Sequence, residues 1–272
     1  MVASKYRSLL LCASFATSLA QADATIEFLI KDAAIDTEPE LQTAYVKAGR
    51  VMVKNAGGTH TTDVLFDSSQ QNFAIIDHDR RSFMFIDKQS MEGVANEVQG
   101  MMDKMREQMA AKMEDMSPEE AAKFEQMLSG MLPEHAPPST KEFIDTGDTK
   151  SVNDFECRIY QVLDNGKPQA QICAAGRTEL GLPPQDYKAL KSMHIHADEL
   201  AAKAASMAGP LASQIPRLGS KEVDGIPVEV KDSSGGNTVE TSLVSVSVKS
   251  VPSNLVEIPE GYKLSHMPSL SQ

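Results

Sequence analysis

Sulfur is the most conspicuous chemistry in this chain: 15 methionines and 3 cysteines stand among 272 residues. Val94, Val98, Met102, Met105, Met109, Met113 and Met116 recur at steps of three and four, which on a helix makes one apolar stripe. Three chemistries fit such a stripe. Thioethers fill irregular cores adaptably. A flexible methionine wall also suits an apolar ligand of variable shape. Thioethers bind copper(I) as well, and Met105, Met109 and Met113 share a helical face. The candidate ligand-binding residues are Val98, Met102, Met105, Met109, Met113 and Met116.

The cysteines suggest a crosslink. Cys157 and Cys173 flank the turn signal Asp164-Asn165-Gly166. A three-residue loop there sets residues whose numbers sum to 330 opposite each other, and these two cysteines satisfy that sum. Opposed strand residues have Cα atoms about 4.5–5.5 Å apart, within disulfide reach. A bond between them is expected if the chain is exported. No Cys-x-x-Cys is present, so redox catalysis is disfavoured.

Other constellations are weaker. The sequence has no Gly-x-Ser-x-Gly elbow, phosphate loop, dinucleotide glycine fingerprint or His-Glu-x-x-His. Its acids are scattered over turns. No catalytic residue, cofactor or metal ligand is assigned, and a non-catalytic protein is expected. His194 and His196 would share an ion on a strand, but this stretch reads as helix, where the spacing separates them by about 200°. His194 with Asp198, or His196 with Glu199, can pair along that helix.

The N-terminus reads as an export signal. Lys5 and Arg7 precede an apolar run, and Ala20-Gln21-Ala22 is a small-x-small exit. Cleavage is expected after Ala22, with Ala20 as the alternative, and the protein is expected in the periplasm. Cys12 follows Leu11, where lipid attachment wants a small residue. Loss of residues 1–22 lowers the basic count from 26 to 24 against 38 acids, a net charge of −14. Such acidity disfavours nucleic acid and anionic lipid heads, and favours solubility. No transmembrane anchor is expected in the mature chain, and no protein partner is indicated.

The elements that must carry these residues alternate between β and α. Strands are expected over 25–31, around the Ala48-Gly49 turn, over 61–66, and paired about residues 77–81. A helical insertion spans 87–131, broken at Ser117-Pro118-Glu119-Glu120 by a helix-start signal. Ala121, Phe124, Leu128 and Met131 continue its apolar side. A second helical segment, 183–208, has Tyr187, Leu190, Met193, Ala197, Leu200 and Ala204 on one face. The chain then returns to β. The expected organisation is a signal at 1–22, one α+β domain at 23–264, and a tail at 265–272.

Several segments in this order resemble a known family. They are Tyr45-Val46-Lys47-Ala48-Gly49-Arg50, Ile76-Asp77-His78-Asp79-Arg80-Arg81-Ser82-Phe83, the break at Met116-Ser117-Pro118-Glu119-Glu120, Phe155-Glu156-Cys157-Arg158-Ile159-Tyr160, and Ile258-Pro259-Glu260-Gly261-Tyr262. The family is a bacterial envelope domain of unknown function whose fold is similar to the lipoprotein-localisation factors LolA and LolB. The resemblance covers residues 24–264. It implies a strongly curved antiparallel β-sheet, an incomplete barrel, with helices packed on the concave side. It also implies a lipid or acyl chain held under the helices; no ligand residue carries over individually. The working expectation is a hydrophobic ligand between the sheet and the methionine-rich helix. The rival expectations are a packed structural or interaction protein of the envelope, and a copper-binding protein.

Overall fold

A computed structural model describes residues 23–33, 38–56, 61–114, 117, 140–208, 215, 217–234 and 236–266. Among these described residues, twelve strands form one open sheet. They are β1 (Ala24–Asp32), β2 (Glu40–Lys47), β3 (Arg50–Val53), β4 (Thr62–Asp67), β5 (Asn72–Asp77) and β6 (Ser82–Ile86), then β7 (Lys141–Val152), β8 (Phe155–Asp164), β9 (Lys167–Ala175), β10 (Ile226–Asp232), β11 (Val239–Ser247) and β12 (Lys263–Leu264). Their order is β12-β6-β5-β4-β3-β2-β1-β11-β10-β9-β8-β7. Helix α1 (Lys88–Glu114) follows β6 in the chain, and helix α2 (Pro184–Ala208) follows β9. The α+β incomplete-barrel class expected from the sequence is observed. One strand departs from the antiparallel rule: β12 runs parallel to β6.

Turn chemistry sets the hairpins. Ala48 and Gly49 both have positive φ, at 50° and 81°, closing the two-residue turn between β2 and β3. Bulges bend the ladder, at Val244 of β11 opposite the Glu27–Phe28 step of β1, and at Val228 of β10. An extra residue on one strand increases local twist, which curls a sheet this wide.

The Cys157–Cys173 disulfide is present, with Cα atoms 5.4 Å apart. The register behind its expectation is different. Asn165 and Gly166 alone form the turn, at φ 50° and 75°, so Asp164 pairs with Lys167. A further shift between Val162 and Leu163 places Cys173 opposite Ile159. The bond therefore runs diagonally, not between facing residues.

The core lies chiefly between one sheet face and α2. Ile26, Ala44, Val46, Val51, Phe66 and Leu243 join Ala189 and Leu190 in one buried cluster. Tyr187, Met193, Ala197 and Leu200 pack against it, as the apolar face of 183–208 predicted. Under Met52, Leu65 and Ile76, a second cluster is covered by the C-terminal segment through Val251 and Val256.

That segment is pinned by a polar chain. Tyr262 Oη lies 2.9 Å from His78 Nδ1, and His78 Nε2 lies 2.7 Å from Asp63 Oδ2. Asp63 also accepts from Lys54 Nζ and from the Asn55 amide. Nε2–H donates to the carboxylate, so Nδ1 accepts the tyrosine proton. Two of the motifs that carried the family resemblance, at 76–83 and 258–262, thus meet here. Tyr262→Phe removes the only hydroxyl in this chain of bonds and is expected to cost about 1 kcal/mol. Hydrogen exchange should quicken at Lys263 and Ser265, whose amides bond to Arg81 and Phe83 carbonyls.

Candidate functional site

Apolar residues recur on the inward side of β1, β2, β3, β10 and β11, and α2 lies over them. Between the two is a cavity of about 470 Å³. Its floor comprises Ile26, Phe28, Ala44, Val53, Leu243 and Val246. Leu190, Met193 and His194 form the α2 side, and Leu180 and Leu182 close one end. The volume lies within the range of small-molecule pockets, about 300–1,000 Å³. A sealed void of this size would cost on the order of 10 kcal/mol by cavity-volume scaling. That is comparable with the whole stability of a domain. Sheet and helix therefore do not close on each other here as an ordinary core does.

Polar groups are few and placed. Gln42, His194, Arg217, Glu229, Asp232 and Thr241 reach the cavity wall. Glu229 is engaged by Lys150, and Lys231 Nζ lies 3.8 Å from it. Burial pushes the His194 imidazole down to about 4, against an opposing pull from Asp198, so it is neutral at pH 7. Two residues along α2, His196 points elsewhere. Its ring lies 6.0 Å from that of Phe66, and its Nδ1 is 3.6 Å from Glu199 Oε2. The helical reading of this stretch had put the two rings on different faces, and they are.

Arg217 is positioned by its neighbours. Asp198 on α2 accepts the Leu218 amide at 2.8 Å and the Ser220 amide, while Lys141 Nζ donates to the Ile215 carbonyl at 3.1 Å. Gly219, at φ 59°, passes the Phe143 ring so closely that a Cβ would sit 2.3 Å from it. Arg217 Nε is buried without a hydrogen-bond partner.

The residues expected to contact a ligand lie elsewhere or outside the described side chains. Asp87 caps α1, exchanging hydrogen bonds with Ser90 at 2.7 and 2.8 Å. The helix touches α2 and β6, yet Val98 is only half-buried and Met105 is 38% exposed. Neither lines the 470 Å³ cavity. The side chains of Met102, Met109 and Met113, and Met116 itself, lie outside what the structure describes, as do Phe124, Leu128 and Met131. Four of the six stripe residues thus lie outside the described side chains, and the helical wall of this cavity is supplied by α2. Its residues belong to the apolar face expected of 183–208. Arg217 and the floor residues gave no local signal, because only the sheet's long-range pairing assembles them.

A carboxylate at the start of α2 makes a separate, testable contribution. Asp186 is 1% exposed, and its Oδ2 has no partner. Burial, with the nearby charge of Asp23, raises its carboxyl to about 6. A raised acid contributes stability fully below its unfolded value near 3.8, and loses it as pH rises through about 6. Asp186→Asn should therefore stabilise at pH 7 by about 2 kcal/mol, once the favourable helix N-terminus is set against the burial cost. The gain should vanish by about pH 4 in thermal unfolding.

No family model matches the chain, and no curated protein does. Among solved structures, PNGF-II is similar over 90% of this chain at 6% identity, with a TM-score of 0.41. The chain spans 30% of that structure's length. A LolA superfamily protein from Nitrosomonas europaea is similar over 87% of this chain and 90% of its own, at 6% identity and a TM-score of 0.26. Among the described residues, no helix is long and apolar enough to cross a membrane.

Proposed function

We propose that this protein is a non-catalytic carrier of a hydrophobic ligand, a lipid or acyl chain, held between the curved sheet and α2. The observation that carries this reading is the 470 Å³ cavity whose wall is mainly apolar. Burying an alkyl chain there is worth about 0.8 kcal/mol per methylene. Export to the periplasm fits the same reading. The basic-then-apolar N-terminus is a signal pattern, and the Cys157–Cys173 bond belongs in an oxidising compartment. The methionine-rich helix then serves as an outer flank of α2.

Native mass spectrometry of the protein, purified without detergent, tests the proposal. A lipid-sized adduct released by organic solvent is the expected result. A bare protein that also fails to take up added fatty acid would exclude the carrier role.

A further inference from the structure

We infer that the ligand is a single-chain amphiphile with an anionic head, whose chain lies in the cavity and whose head is bound by Arg217. This rests on the carrier reading above. Arg217 stands on the wall of a mainly apolar cavity, with Gln42, His194, Glu229, Asp232 and Thr241 as the other polar groups. Its Nε is buried without a partner. A buried donor left unmade is costly, and a charged one more so. The two acids on the same wall do not serve it. Glu229 is taken by Lys150, and Asp232 Oδ1 accepts the Ser234 amide at 2.8 Å. Lys141 lies near enough to feel the Arg217 charge, and Asp164, Asp232 and Asp198 act on it from the other side of the balance.

Bonds on both sides of Arg217 fix its main chain beside the cavity: Lys141 on Ile215, and Asp198 on Leu218 and Ser220. A planar fork of donors is the geometry that carboxylate and phosphate oxygens accept in pairs. An alcohol or ester head offers no matching charge. The site therefore selects the head by charge and the tail by shape.

Calorimetric titration of the full chain with laurate, dodecyl phosphate and dodecanol tests this, because the three share one alkyl chain. Wild type should bind at least one of the anions about tenfold or more tighter than the alcohol. Comparing laurate with dodecyl phosphate tells which anion is preferred. Arg217→Gln should bind all three at the strength of dodecanol, while Arg217→Lys keeps a reduced preference. Unchanged dodecanol affinity in the glutamine variant shows that its cavity is intact. Equal affinities in wild type, or a preference that survives Arg217→Gln, would overturn the inference and leave the carrier reading standing. Failure of all three ligands to bind would remove both.

Discussion

Thr241→Trp should weaken binding of a twelve-carbon chain roughly fiftyfold while the protein stays folded. Thr241 sits half-exposed on β11 and lines the cavity. An indole there occupies space that would otherwise hold about three methylenes, each worth about 0.8 kcal/mol. Displacing them costs about 2.4 kcal/mol, which sets the fiftyfold figure. Stability should move the other way or not at all, since the ring fills open volume and displaces no packed neighbour. The same titration series and a thermal melt separate the two quantities. A large loss of stability with unchanged affinity would mean that this part of the sheet is ordinary core.

Removing the disulfide should produce the largest loss of stability. Cys157 and Cys173 are separated by 16 positions and are 3% and 0% exposed. Replacing both with alanine releases a loop whose closure is worth about 3 kcal/mol. The pair also belongs to the main buried cluster, with Ala175, Leu180 and Leu182. Loosening it should therefore reach the end wall of the cavity, where Leu180 and Leu182 stand. Urea unfolding of the double variant should show a lower midpoint, and reductant should shift the wild type by a similar amount. A reductant-insensitive wild type would mean that the bond adds nothing to stability.

Local pattern revealed much of this architecture. The two-residue turn at Ala48-Gly49, the pairing of β5 with β6, and the apolar face of 183–208 all follow from residue type and spacing. The cysteine pairing was legible too, but its register was not. Asn165-Gly166 favours the tighter left-handed turn, and the bulge at Gln169, opposite the Val162–Leu163 step, leaves no mark in the sequence. The cavity was less legible. Periodicity shows that a helix has an apolar side, not which surface that side meets. Two helices competed for one sheet. The first carries Glu92, Glu97, Asp103, Lys104 and Glu107 and leaves Met101 and Met105 46% and 38% exposed. The second brings Ala189 and Leu190 fully into the core. Pairing of β1 with β11, across more than two hundred residues, completes the floor, and no local signal encodes it.

The most direct test of where the ligand lies uses a reporter that the chain lacks. It has no tryptophan, so single tryptophans at Phe28 on the cavity floor and at Met105 on α1 each give one clean fluorescence signal. Titration with a brominated fatty acid quenches a ring in contact with the chain. The account predicts strong, saturable quenching in Phe28→Trp and little in Met105→Trp. Saturable quenching at Met105 with none at Phe28 would contradict it and return the ligand to the methionine-rich helix.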